Sequence, residues 1–235
     1  MESLINITSL AAGYGKKQVL YDVSLDVSAS EVVAVIGPNG AGKTTLLKAV
    51  AGVIKPWSGS ILLDGQEVGP LGPVAMLNLG VVFVPQGRVV FDELTVAENL
   101  SIAGRRMPRT RFREREEYVL DSFPELRGKH GGSAANLSGG MKQMLALARA
   151  WISRPRVLLL DEPSLGLSPD YVRDVFSKVR DISRENDTAV LVVEQKAREV
   201  GKYADRVAAL KLGRVVYDGG PSMVEDKTKM AEIFL

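Results

Sequence analysis

The segment GPNGAGKT, Gly37 to Thr44, restricts the possible folds of this chain more than any other. It matches the phosphate-binding pattern G-x-x-x-x-G-K-[ST] at every required position. It stands between an apolar, β-branched run, VVAVI, and a run with helical character, TTLLKAVAGVI. Strand, glycine loop and helix in that order let backbone N–H groups wrap phosphate oxygens while the helix start adds unsatisfied donors and a positive dipole end. Gly37, Pro38, Asn39, Gly40, Ala41 and Gly42 supply the loop, and Lys43, Thr44 and Thr45 open the helix. Lys43 can reach the β- and γ-phosphates, and the Thr44 hydroxyl can coordinate Mg²⁺. A chance glycine loop lacks this setting, so the segment reads as a nucleotide site.

VLLLDEP, Val157 to Pro163, offers a matching half. Its apolar residues form a buried strand, and Asp161 emerges at the carboxyl end, where parallel α/β sheets bind ligands. A carboxylate there can hold the shell of a Mg²⁺ ion. Glu162 can polarise a water for attack on the γ-phosphate. AVLVVEQKA, Ala189 to Ala197, is another apolar strand, ending in the polar pair Glu194 and Gln195. The one histidine of the chain is His130, in the glycine-rich GKHGGS, so no imidazole serves this strand end. LSGGMKQ, Leu137 to Gln143, precedes the helical MLALARAWI. There Ser138 can cap the helix while Gly139 and Gly140 expose N–H groups, a second anion-binding end. A second phosphate grip beside a complete one suggests sharing between two subunits.

Apolar strands alternating with helical patterns argue for a mainly parallel α/β core. LINITSLAAGYG and VLYDVSLDVSAS read as short strands with alternating apolar positions. SGSILLDGQEV reads as a strand pair, and RVAALKL and RVVYDG as tail strands joined at Gly213-Arg214. These make an antiparallel N-terminal portion beside the core. Residues 88–152 are mostly helical in pattern and read as a subdomain inserted between core segments 1–87 and 153–235 of a single domain. Within it RRMPRTRFREREE carries six arginines against three glutamates and reads as a solvated helix or loop face.

Bulk properties remove several classes. No cysteine is present, which excludes disulfide scaffolds and thiolate metal sites. A formal charge of +2 gives no general nucleic-acid footprint. The N-terminus lacks the pattern of a secretory signal, and no apolar run approaches the ~20 residues that span a bilayer.

The phosphate loop, Gln86 in VPQGR, LSGGMKQ, LLLDEPSLGL and AVLVVEQ occur in the order and spacing of the ATP-binding cassette (ABC) ATPases, and the chain resembles that family over essentially its whole length. The resemblance implies a P-loop NTPase that hydrolyses ATP with Mg²⁺. It implies Glu162 as general base, Gln86 as a Mg²⁺-sensing residue linking core and helical lobe, and Tyr14 as the aromatic that stacks on adenine. Ser138, Gly139 and Gly140 would meet the nucleotide of a second ATPase subunit packed head to tail. Three positions depart from the common pattern. Met141 replaces a signature glutamine, Ser168 stands where many members carry a dimer-bridging aspartate, and Gln195 stands where most carry a γ-phosphate-contacting histidine. VPQGRVVFDELTVAENL, SLGL and VVEQKA resemble the ATPase subunits of branched-chain amino-acid importers, with urea importers sharing much of the pattern. The implied partners are two integral membrane permeases, a companion ATPase and an external solute-binding protein, with the chain peripheral on the cytoplasmic face of the membrane. An ending at Leu235 leaves no room for the regulatory domain of some sugar importers. Two other readings stand beside this one: a cassette ATPase working on ribosomes or DNA, and a regulatory nucleotide-binding module with feeble hydrolysis.

Overall fold

Three runs of the chain are buried at every position: β3 (Val32–Ile36), β7 (Val157–Asp161) and β8 (Ala189–Glu194). A strand buried on both faces needs cover on each, and such strands belong to parallel sheets. The computed structural model describes residues 3–87 and 90–234. Arg88 and Val89 of VPQGRVVFDELTVAENL, where the expected helical insertion begins, lie outside them, as do Met1, Glu2 and Leu235.

Two long strands open the chain, β1 (Ser3–Tyr14) and β2 (Lys17–Ser28). The sequence suggests short strands here, but each runs 12 residues, because β-bulges let the pair twist without ending. After β3 and the glycine loop comes α1 (Lys43–Val50). It is shorter than the TTLLKAVAGVI pattern suggests, since Gly52 turns the chain at φ 70°. Then follow β4 (Ser58–Leu63), β5 (Gln66–Glu67), α2 (Pro73–Asn78) and β6 (Val81–Val84). The order β2-β1-β4-β5 makes an antiparallel sheet of four strands.

Between β6 and β7 the regular structure is helical: α3 (Val96–Ala103), α4 (Arg109–Ser122), α5 (Pro124–Arg127), a 3₁₀ turn at Ala134–Asn136 and α6 (Gly139–Ile152). Thr95 and Glu98 close a reciprocal capping box at the start of α3. The rest of the chain forms α7 (Pro169–Glu185), β8, α8 (Ala197–Val200), β9 (Arg206–Lys211), β10 (Arg214–Gly219) and α9 (Lys227–Phe234). The second sheet has the order β10-β9-β3-β8-β7-β6 and is parallel except for the β9–β10 hairpin.

The period of two along β3 divides the core. Val32, Ala34 and Ile36 face α6, α7 and the fully buried Trp151, Phe123 and Phe176. Val33 and Val35 face α1 and the antiparallel sheet. The structure moves two features from their expected places. The tail hairpin turns at Leu212–Gly213, both with positive φ, and Arg214 already belongs to β10. Arg115 is not part of a solvated face: it donates to the carbonyls of Trp151 at 2.8 Å and Ile152 at 3.4 Å, capping the end of α6. At the far side of the molecule Arg206 of β9 donates to Glu31 at 2.9 Å, to Asp218 of β10 at 2.8 and 2.7 Å, and to the Asp26 carbonyl of β2.

Candidate nucleotide site

Strands β3, β8 and β7 lie side by side and end together, with Ile36 opposite Glu194 and Asp161 opposite Val193. Everything that follows these ends is therefore brought to one edge of the sheet. The phosphate loop leaves β3 here, and its glycines are required by space. A Cβ on Gly37 would stand 2.1 Å from the Leu210 carbonyl oxygen. Gly42, at φ 107°, caps α1, and its Cβ would meet Leu20 at 2.8 Å. Lys43 is buried and donates to the carbonyls of Gly37 at 2.8 Å and Pro38 at 3.1 Å. Burial lowers its pKa, opposed by the charges of Glu162, Asp161 and Glu194.

Asp161 ends β7 and is 3 % exposed. It accepts from the Thr44 hydroxyl at 3.0 Å, and burial raises its pKa in spite of that bond. Glu162 follows at φ 46°, a left-handed conformation uncommon for a residue with a long side chain. This twist aims its carboxylate across the edge. One oxygen accepts from the Gln86 amide at 2.9 Å; the other accepts from the Gln195 amide at 2.8 Å and stands 3.7 Å from Lys43 Nζ. Gln195 also donates to Asn39 Oδ1 at 2.5 Å. Gln86 thus meets Glu162 rather than the Thr44–Asp161 pair.

The polar pair at the end of β8 is divided. Only Gln195 reaches the cleft. Glu194 is buried, with its pKa raised by that burial, and accepts the backbone N–H groups of Ser164 at 2.9 Å and Gln195 at 3.2 Å. It ties the chain after Glu162 to the chain at Gln195.

Above these groups lies a cleft of about 900 Å³ whose walls include Tyr14, Asn39, Lys43, Thr44, Gln86, Glu162 and Gln195. Its volume suits a nucleotide. Lys17, Gln18, Val19, Tyr21 and Leu212 also line it; nothing in the sequence pattern marks these except Leu212, a branched apolar residue before a turn glycine. Tyr14 is 45 % exposed, with Lys48 Nζ 5.8 Å from its ring centroid. Ser138, Gly139 and Gly140 are not among the lining residues. Ser138 caps α6 by accepting from the Met141 N–H at 3.2 Å. Gly140 lies against Tyr171, whose ring a Cβ would approach to 2.5 Å. Ser168 stands at the start of α7 without a side-chain capping bond.

A phosphate loop, a buried strand-end aspartate and a glutamate held over the cleft define a P-loop nucleoside triphosphatase. The sequence profile described as ABC transporter matches residues 20–165, and the chain belongs to that family; it is an ATP-binding ABC ATPase. It is 40% identical over 222 residues to the high-affinity branched-chain amino acid transport ATP-binding protein BraG of Pseudomonas aeruginosa, covering 94% of this chain and 95% of that one. It is 31% identical over 239 residues to the lipopolysaccharide export system ATP-binding protein LptB of Haemophilus influenzae, covering 99% and 97%. Among solved structures, cbiO1 from Clostridium perfringens, part of the ABC transporter complex cbiONQ, superposes with a TM-score of 0.88 at 26% identity, covering 99% of this chain and 94% of that one. Among the described residues no helix is long and apolar enough to cross a membrane.

Proposed function

We propose that this chain is the ATP-hydrolysing subunit of an importer that carries branched-chain amino acids across the cytoplasmic membrane. The observation that carries the hydrolytic role is the setting of Glu162, with Gln86 on one oxygen, Gln195 on the other and Lys43 beside it. Backbone N–H groups of the loop, among them those of Asn39, Gly40 and Gly42, and the Lys43 ammonium hold the triphosphate, and Tyr14 stacks on the base. A Glu162 oxygen takes the proton from a water whose oxygen attacks the γ-phosphorus, the bond to the β-phosphate oxygen breaks, and ADP and phosphate leave. Gln195, a neutral amide at all working pH values, orients the water and reports the γ-phosphate to Asn39.

The donor set at Thr44 and Asp161 fits Mg²⁺. A hydroxyl and one carboxylate are hard oxygen donors 3.0 Å apart, and among the described residues no cluster of three or more His, Cys, Asp or Glu forms a protein cage. Such a partial shell is what Mg²⁺ takes when substrate phosphates complete it. The bound ion would neutralise charge on the β- and γ-phosphate oxygens.

The capped end of α6 at Ser138, Gly139 and Gly140 is read as a grip for the nucleotide of a second ATPase subunit. Residues 88–152 are read as the helical subdomain that carries closure to the permeases. A groove beside Gln86, lined by Val84, Phe91, Ile102, Arg105 and Arg106 among others, offers an apolar seat with a cationic rim for a permease segment. The chain would then sit peripherally on the inner face of the membrane, with the solute-binding protein outside. Likeness to BraG across nearly its full length supports the solute class.

Reconstitution into liposomes with its permeases, companion ATPase and binding protein tests this reading. ATP-dependent uptake of labelled leucine is expected. Hydrolysis coupled to outward movement of a lipid, or co-purification with ribosomes instead of membranes, would reassign the function.

A further inference from the structure

The turn between β9 and β10 departs from the residue preference of its own geometry. Leu212 and Gly213 occupy its centre at φ 49° and 76°. A two-residue hairpin with both φ values positive favours Asn, Asp or Gly at its first position, because other side chains crowd the backbone there. Among the described residues Ser9, Asp22, Ser30, Asp64, Arg154, Glu162 and Asp187 also have positive φ, and all are polar; Leu212 is the apolar exception. It is also 78 % exposed, so burial within the chain does little to offset the strain.

The placement of the turn is fixed. The Gly213 N–H donates to the Ala41 carbonyl at 2.9 Å, and the Gly213 carbonyl accepts from the Tyr21 N–H at 2.8 Å. A Cβ on Gly213 would stand 1.9 Å from the Val19 carbonyl oxygen. The turn is thus pinned between the phosphate loop and β2. Leu212 is held on the β1–β2 side of the cleft, whose wall it shares with Tyr14, Val19 and Tyr21. Lys43, Thr44, Glu162 and Gln195 make the polar side of the same cleft.

We propose that Leu212 is a nucleotide-binding residue, forming with Tyr14, Val19 and Tyr21 the apolar wall that receives the base and ribose of ATP. It sets affinity for the nucleoside and not for the phosphates. The inference rests on the cleft being the ATP site, and its test separates the two. Binding of ATP and of inorganic tripolyphosphate, each with Mg²⁺, is measured by calorimetry on the full chain and on Leu212→Asn. Asparagine suits the turn, so the variant is expected to melt about 2–4 °C higher. It is expected to bind ATP about five- to tenfold more weakly, the scale of a partly buried leucine, with tripolyphosphate binding unchanged. Unchanged ATP affinity overturns the proposal. Equal losses for ATP and tripolyphosphate also overturn it, because Leu212 would then act through the Gly213–Ala41 contact. A slower hydrolysis rate with ATP affinity intact does the same, pointing to contact with a second subunit. Failure of the unmodified chain to bind either ligand instead removes the reading of the cleft itself.

Discussion

The Gln195 amide donates to Glu162 at 2.8 Å, so the ends of two neighbouring core strands share one hydrogen bond above the phosphate loop. Histidine could supply a donor of similar reach, and alanine cannot. Gln195→His is therefore expected to keep ATP hydrolysis within about threefold of the parent, while Gln195→Ala loses about tenfold or more in kcat. Steady-state phosphate release decides it, and full activity in the alanine variant would leave Gln195 without a part in turnover.

Replacing Glu162 by glutamine keeps the size of the side chain and removes the carboxylate proposed as the base. Glu162→Gln is expected to bind ATP as tightly as the parent, or more tightly, and to lose at least about 100-fold in kcat. Equilibrium binding beside single-turnover hydrolysis separates the two effects. Parent-like turnover would assign the proton to another acceptor.

Burial raises the Asp161 pKa, which gives a stability effect of definite sign. A folded state that holds this proton more tightly than the unfolded chain is stabilised by it in acid. That stabilisation is lost as pH rises through the folded pKa. At a pH above the folded pKa the ionised carboxylate therefore weakens the nucleotide-free fold. Asp161→Asn can keep the bond from Thr44 and is expected to raise Tm at that pH. The gain should shrink as pH falls through the raised folded pKa and be gone below the ordinary carboxylate value of about 4. Thermal melts across pH check this, and a gain independent of pH would trace it to something other than ionisation.

Arg115 closes the carbonyl end of α6 and lies 4.7 Å from the Tyr118 ring centroid. Arg115→Ala removes a charge-assisted cap and its packing, at a cost of about 1–2 kcal/mol. Denaturant unfolding is the measurement. The neighbouring Arg113→Ala, on an exposed residue of α4, is expected to change stability by less than about 0.5 kcal/mol.

The gathering of the cleft's side chains at one sheet edge is largely legible along the chain because they sit at the ends of strands, where an apolar run meets a polar residue. Asp161, Glu162 and Gln195 each follow such a run, and the glycine loop carries its own spacing. What escaped depends on contacts between distant segments. Glu194 and Gln195 are equivalent in the sequence, yet one turns inward because the Ser164 amide needs an acceptor there. Arg115 sits in a run of charge that reads as solvated, and only the approach of α6 gives it a half-buried capping task. The tail hairpin bends at Leu212–Gly213 and not at Gly213-Arg214, since a glycine marks a turn without saying on which side of it the bend falls. The lengths of β1 and β2 followed from bulges, which leave no periodic trace.

Arg206 joins β9, beside the phosphate-loop strand, to Asp26 on β2 and Asp218 on β10. One guanidinium thus fastens the parallel sheet to the antiparallel one, and each sheet carries one wall of the cleft. Together with the Gly213 contacts to Ala41 and Tyr21, that rivet joins the two sheets near both ends of β9, before any ligand arrives. In the function proposed above, the cleft acts as a caliper of fixed opening, against which ATP would be gauged end to end, heterocycle on one jaw and anion on the other.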